Sequence, residues 1–328
     1  MISVVMSVYN EEEDWLKESI ESVLNQSFSD FEFIIINDNP SRYLNEQIIT
    51  HYKKIDSRIV YLKNSQNIGL TKSLNFGLSC AKGNYIARFD ADDICYPTRF
   101  EKQVDFLDKH QDIIAVGSWF EYFGKINKKN TEYRCTPDEI QNFLMIYTPI
   151  AHPTVMIRKS ELDKYQLKYN EDFRYAQDYD FFYQLSKVGK MANLPEVLLK
   201  YRTTEKQVSS KNAFEQQQLA ISLRKKIITT LVTHEFLNEF NVNEISNPLK
   251  AFIKLNRNSY KLKDISANQE QRINILKYVM LISSKRLVDR IILLILLALN
   301  PFQKIGFSSR YYFKAISHQI FFNYKSLL

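Results

Sequence analysis

The chain has 328 residues with 45% hydrophobic and 25% charged residues, 7 Gly and 8 Pro, which excludes a collagen-like or Gly/Pro-rich fibrous protein. Its three cysteines, Cys80, Cys95 and Cys135, form no CxxC pair; this argues against a disulfide framework or a thiolate zinc site and for a reducing compartment. The net charge of +7 is uneven, with 14 Lys+Arg against 3 Asp+Glu in residues 250–328, so the tail is expected to meet an anionic partner while the rest is mildly acidic.

The N-terminus lacks the charged start and long apolar run of a signal peptide and is expected to begin a strand at once. Ile2 to Tyr9 is apolar and rich in β-branched residues. A helix follows, with Leu16, Ile20, Val23 and Leu24 on one face. Asn10 is its expected N-cap, with Glu13 three residues on as in a capping box. Phe31 to Ile36 is a second strand, Leu44 to Lys54 a second helix and Ile59 to Leu62 a third strand. Gly69 opens a helix with Leu70, Leu74 and Leu78 on one face, and Tyr85 to Phe89 is a fourth strand ending at Asp90. Strands alternating with helices of this length predict a parallel, doubly wound sheet. Ligands bind beyond the carboxyl ends of such strands. There the chain places Tyr9-Asn10-Glu11, Asn37-Asp38-Asn39 and Asp90-Ala91-Asp92-Asp93.

After Phe120 the alternation loosens. Lys125 to Asn130 reads as a polar loop tip, His152 to Arg158 and Val197 to Tyr201 as strands, and Asp178 to Lys187 as a helix. From about Glu215 onward the chain reads as helical and basic, with a boundary near residue 210.

Asp90, Asp92 and Asp93 lie within four residues of one another. Carboxylates this close repel and call for a cation, and their oxygens suit a hard ion such as Mg²⁺ or Mn²⁺, whose open positions a diphosphate can fill. A solvated, helix-capping turn would use the same residues.

The motifs around the turn are more specific as a set. Met6-Ser7-Val8-Tyr9-Asn10-Glu11 resembles the opening strand of family-2, GT-A-type glycosyltransferases of bacterial surface polysaccharide synthesis. Ser22 to Ser27 resembles their first helix, Ile34-Ile35-Ile36-Asn37-Asp38 their second strand end, and Asn67-Ile68-Gly69-Leu70 with Asn75 their third helix start. Gly83 to Asp93 resembles the strand carrying their DxD motif, and Ala176-Gln177-Asp178-Tyr179-Asp180-Phe181 their "ED" motif. All stand in the family's order over about residues 1–205.

The resemblance implies an α/β fold of GT-A, Rossmann-like type: a mostly parallel sheet with helices on both faces, and a helical C-terminal region. Residues 1–210 would form the catalytic domain, its nucleotide-sugar half about 1–120 and its acceptor half about 121–210, with a basic region at 211–328. Val8, Tyr9 and Glu11 would line the nucleobase pocket, Asp38 would bond the base, with uracil expected, and Lys72 would reach base or diphosphate. Asp90, Ala91 and Asp92 would hold the nucleotide; Asp92 and Asp90 would bind Mn²⁺ or Mg²⁺, with Asp93 in support. Asp178 would be the general base, with Asp180 the runner-up. Asn39-Pro40 and Gln177 depart from the family's Gly-Ser and Glu.

Inverting transfer needs a carboxylate to take the acceptor proton and a cation to offset charge on the leaving diphosphate, about an oxocarbenium-like transition state. Asp178 could instead be a helix-head aspartate held by the macrodipole. His152, before Pro153, is a candidate for binding acceptor or diphosphate, or a hydrogen-bonded structural residue. In the tail, Ile291 to Leu299 is an apolar run of nine, short of the roughly 20 residues a spanning helix needs. Arg310 to Lys314 and Phe321 to Lys325 mix rings with cations, as on an anionic membrane surface; packing on the catalytic domain or on a partner subunit is the alternative. The expected partners are a nucleotide-sugar donor, a saccharide or lipid-linked acceptor and that membrane's inner, cytoplasmic face, with no nucleic acid. A sugar nucleotidyltransferase is disfavoured because no Gly-rich loop follows the first strand. A non-catalytic glycan-binding module is disfavoured by Asp90, Asp92 and Asp178 together.

Overall fold

Runs of apolar residues bounded by polar turns form the first strands of the computed structural model: β1 (Ile2–Val8), β2 (Phe31–Asn37), β3 (Ile59–Lys63) and β4 (Tyr85–Asp90), alternating with α1 (Glu13–Leu24), α2 (Tyr43–Ile55) and α3 (Leu70–Cys80). The structure describes residues 1–204 except 126, 127, 145 and 146, and scattered positions between 215 and 227. Parallel ladders join β1 to β2 and β4, and β2 to β3. Alternate side chains point to opposite faces. Val4, Met6, Val8, Phe33, Ile35 and Phe89 share a buried cluster with Leu16, Ile20 and Val23 of α1 and Ile48, Ile49 and Tyr52 of α2. On the other face α3 packs so closely that a Cβ on Gly77 would lie 2.6 Å from Val5 Cγ1. Helices thus cover both faces.

The second half adds β5 (Ile94–Cys95), α4 (Arg99–Lys109), β6 (Ile113–Gly124), β7 (Lys128–Thr131), α5 (Pro137–Phe143), a 3₁₀ turn (His152–Thr154), β8 (Met156–Arg158), α6 (Lys159–Lys164), α7 (Gln177–Ser186) and β9 (Lys190–Thr203). The strand order is β3-β2-β1-β4-β8-β6-β9-β5, with β7 on β6. The parallel pattern holds for the first four strands. It gives way to a mixed sheet at β8, which runs antiparallel to both β4 and β6.

Four local expectations change. The N-cap of α1 is Glu12, not Asn10, and no side chain caps it, because the Glu11 carboxylate folds back onto the Tyr9 N–H at 2.8 Å and the chain turns two residues later. The polar Lys125–Asn130 tip includes most of β7, an antiparallel partner of β6; a hairpin ladder is made by backbone groups and tolerates polar side chains. His152–Arg158 is a strand only from Met156, since Thr154 closes a turn onto the Ala151 carbonyl with its N–H (2.9 Å) and hydroxyl (2.8 Å). Val197–Tyr201 is the middle of a longer strand whose register against β6 slips between Leu194 and Val197, where Pro195 has no N–H to donate.

The chain divides into two units, Met1–Leu223 and Arg224–Leu328, and the site lies in the first. The basic region expected from 211, its apolar run and its membrane surface fall outside the described residues, scattered positions up to 227 aside. Among the described residues no helix is long and apolar enough to cross a membrane.

Two buried side chains of α4 staple the halves together. Gln103 Nε2 donates to the carbonyls of Val116 (3.1 Å) and Thr154 (2.7 Å), and its Oε1 accepts from Arg99 Nε (3.1 Å). Arg99 Nη2 donates to the Arg88 carbonyl at 3.0 Å. Gln103→Leu leaves these groups buried without partners, so a loss of about 2–4 kcal/mol is expected from the urea unfolding midpoint. A loss under about 1 kcal/mol would mean that the staple is dispensable.

Candidate active site

The ladders set Val8 beside Asn37 and Ser7 beside Asp90, so three polar segments meet at the carboxyl edge of β1, β2 and β4. Val8 itself is fully buried in the core, and its carbonyl accepts from the Asp38 N–H at 2.8 Å. Tyr9 is 49% exposed, with its ring free for stacking. Asn45 of α2 donates to the Tyr9 carbonyl (3.0 Å) and to Asn37 Oδ1 (3.3 Å), and Arg42 donates to the Glu11 carbonyl. Asn37 Oδ1 also accepts from the Asn39 N–H at 3.0 Å. Asn37 to Asn39 thus forms an Asx turn, and Asn39-Pro40 opens a second turn that the Arg42 N–H closes onto the Asn39 carbonyl at 3.1 Å.

Asp38 is buried, and both its oxygens are engaged. Oδ1 accepts from Asn64 Nδ2 and the Ile68 N–H, both at 2.8 Å, and Oδ2 from the Gly69 N–H at 2.9 Å. These bonds hold the loop that enters α3 through Gly69, whose φ of +88° suits only glycine. Lys72 on α3 is exposed and lies 3.8 Å from Glu171, between α6 and α7.

The acidic turn separates its three aspartates. Asp93 points inward: its Oδ1 accepts from the Arg202 N–H on β9 at 2.9 Å, and its carbonyl accepts from Ser19 Oγ at 2.6 Å. Arg202 Nε also donates to the Asp92 carbonyl at 2.7 Å. Its guanidinium lies over Trp15 and Phe123. Ala91 is buried. Asp90 and Asp92 keep part of their surface in water. Asp90 pairs with Arg88. Burial, then the charges of Asp90 and Glu11, push the Asp92 carboxyl up to about 7. Burial also raises Glu11. Such a cluster is short of positive charge.

Among the described residues no three His, Cys, Asp or Glu side chains converge as a complete metal cage. Mg²⁺ and ions like it commonly take one or two carboxylates and complete their shell with water and substrate phosphates. The hard oxygens of Asp90 and Asp92, the latter pushed up by burial and by the Asp90 charge, fit that pattern.

The two base candidates differ in setting. Asp178, in the first turn of α7, is partly exposed, whereas Asp180 is 2% exposed and accepts from Gln184 Nε2 at 2.5 Å on its own helix. Burial raises the Asp178 carboxyl, opposed by the Tyr179 N–H and the Arg88 charge. Gln177 is buried, and its Oε1 has no hydrogen-bond partner among the described residues. His152 Nε2 bonds the Tyr169 hydroxyl at 2.8 Å. Burial, then Arg88, lower the imidazole well below its ordinary value, so it is neutral at pH 7. Tyr169 stacks on Phe181 at 4.2 Å, and its backbone N–H and carbonyl both bond Asn75 of α3 at 2.9 Å. His152 therefore sits in a built aromatic wall of the second half of the sheet domain.

Sequence reasoning overlooked Arg88 and Arg202. Arg88 had a usable signal: it is a charge in an otherwise apolar strand, two residues before Asp90 and so on the same face. Arg202 had none, since its partners lie on distant elements.

Parallel strands that carry an acidic turn, extended by a mixed half with a helix-head aspartate, define an α/β fold of GT-A type. S. aureus TarS, solved with UDP-GlcNAc, shares this fold with a TM-score of 0.58 over 85% of this chain and 80% of that one, at 19% identity. The mannosyltransferase PcManGT of Pyrobaculum calidifontis, solved with GDP-Man and Mn²⁺, does so with a TM-score of 0.53 over 92% and 75% of the two chains, at 11% identity. In sequence, the O-antigen biosynthesis glycosyltransferase WbnJ of Escherichia coli is 31% identical over 244 residues, 71% of this chain and 93% of that protein. The family model described as Glycosyl transferase family 2 matches residues 3–166. The chain belongs to glycosyl transferase family 2 and is a glycosyltransferase.

Proposed function

We propose that the enzyme transfers a sugar, with inversion, from a nucleotide-diphosphate sugar to a hydroxyl of a saccharide or lipid-linked saccharide in capsule, exopolysaccharide or O-antigen synthesis. The observation that carries this reading is the pair Asp90 and Asp92, each partly exposed at the strand ends, with the Asp90 charge bearing on the partly exposed Asp178 carboxyl. The nucleotide sugars bound by TarS and PcManGT support it, and the name of WbnJ supports the polysaccharide setting. A UDP-sugar is the proposed donor, with Tyr9 stacking on the base and Lys72 near the diphosphate.

Asp178 accepts the acceptor's hydroxyl proton as that oxygen attacks the anomeric carbon. The new glycosidic bond forms as the bond to the diphosphate oxygen breaks, and the nucleoside diphosphate leaves with the electron pair. Mn²⁺ or Mg²⁺, held by Asp90 and Asp92 when bound, would offset the charge on that leaving group. His152, neutral and bonded to Tyr169, shapes the acceptor wall.

The test is transfer of radiolabel from a panel of UDP-, GDP- and dTDP-sugars to saccharide and lipid-linked acceptors with Mn²⁺ present. One donor is expected to label product or hydrolyse measurably. A folded protein that does neither with any donor would sink this reading; glycan binding without turnover would favour a binding module, and sugar-nucleotide formation from a nucleoside triphosphate a nucleotidyltransferase. The basic residues 250–328 motivate a site at the inner membrane face. That placement fails if deleting them leaves membrane fractionation unchanged.

A further inference from the structure

Arg88 does nothing in the reaction as described, and its setting is costly. It stands two residues before Asp90 on β4, on the face that α3 and Tyr169 cover. Val5, Leu74, Leu78, Ile86, Ile157 and Tyr169 line the small void it borders, an apolar cage. Arg88 is 4% exposed. Only Nη2 is engaged, by Asp90; Nε and Nη1 have no hydrogen-bond partner among the described residues. The backbone is clamped, its N–H to the Val155 carbonyl (3.0 Å) and its carbonyl to Arg99 Nη2 (3.0 Å), so the side chain leaves the strand from a fixed point.

Burying donors without partners is unfavourable. Apolar residues of similar volume often replace buried ion pairs with no loss of stability, and the partner that Arg88→Met leaves behind, Asp90, keeps part of its surface in water. A guanidinium kept in such a cage points to a use, since strained or unsatisfied groups gather where function demands them. The use lies at its one partner. Asp90 carries a site carboxylate at the end of the strand, where a free side chain would swing. The Arg88 charge also bears on Asp178 and His152.

We propose that Arg88 is a positioning residue for sugar transfer: its buried guanidinium aims the Asp90 carboxylate into the donor site, at a cost in folding stability. The inference rests on the reading of Asp90 as a donor-site residue. It is tested in the full chain with Arg88→Met, Arg88→Lys, Asp90→Asn and the Arg88→Met/Asp90→Asn double variant. The readouts are Tm without ligand and affinity for UDP with Mn²⁺ by titration.

Arg88→Met is expected to fold with a Tm equal to or above that of the wild type, and to bind UDP–Mn²⁺ at least about 10-fold more weakly. Arg88→Lys should recover part of that loss. In the Asp90→Asn background Arg88→Met should cost no further affinity, because both changes remove one interaction. Unchanged UDP–Mn²⁺ affinity in Arg88→Met overturns the proposal, as does full additivity in the double variant. A lower Tm or failure to fold in Arg88→Met, with Arg88→Lys no better, also overturns it by making Arg88 a structural residue. Should the wild type bind none of UDP, GDP and dTDP, the donor reading itself falls, and the ligand-free Tm of Arg88→Met alone decides whether the guanidinium is costly.

Discussion

An Asp178→Asn variant is expected to turn over donor and acceptor roughly 10²–10⁴-fold more slowly, the usual contribution of a positioned general base. Asn keeps the shape and the partial exposure at the head of α7 and removes only the basicity. The UDP–Mn²⁺ thermal shift should therefore survive, and KM for the donor should move little. The pH profile provides an independent check. Burial raises the Asp178 carboxyl above its ordinary value, and a base works only when deprotonated. Rate should thus be gained as pH rises through that raised value, placing the acid limb of kcat above the range of an exposed aspartate; in Asp178→Asn the limb should vanish from the residual rate. If Asp180→Asn gave the larger loss of kcat with folding intact, the assignment would be reversed. Against that outcome stands its geometry, since Asp180 is buried and bonded to Gln184.

The strand-end logic was legible because it depends on pattern alone. Apolar runs ending in polar clusters place Tyr9, Asn37 and Asp90 on one edge once the ladders are parallel, and β1, β2 and β4 are. Which way each side chain turns was not legible. Asp92 and Asp93 are neighbours of identical chemistry, yet β9 returns from over 100 residues away to take Asp93 with the Arg202 N–H. Asp38 likewise spends its carboxylate on Asn64, Ile68 and Gly69, partners that exist only after the loop folds onto it. Arg99 and Gln103 stand four residues apart on α4, and nothing local marks them as the staple that burial against β6 and the 3₁₀ turn makes them. Long-range partners decide each of these cases, and local periodicity carries no record of them.

Asp92→Asn is expected to abolish the Mn²⁺-dependent part of the nucleotide thermal shift and to lower kcat/KM by about 10³-fold or more, equivalent to roughly 4 kcal/mol of transition-state stabilisation. The same substitution should make the ligand-free protein more robust at neutral pH. In the folded state the Asp92 carboxyl titrates near 7, against 3.8 as its ordinary value. Between those values the folded chain holds a proton that the unfolded chain has released, so raising the pH through this window costs the folded state stability. Metal-free wild type should lose Tm from about pH 4 to pH 7, whereas Asp92→Asn, with no such proton to surrender, should lose less. The two curves should converge at low pH and separate at high pH, with the variant above. Adding Mn²⁺ with nucleotide should raise the wild type at pH 8 and leave the variant where it was. A variant that kept its Mn²⁺ shift would move the ion away from Asp92. Parallel curves without metal would mean that Asp90, Glu11 and Asp92 do not repel as their packing requires. Both results together would leave the acidic turn as a capped turn and no more.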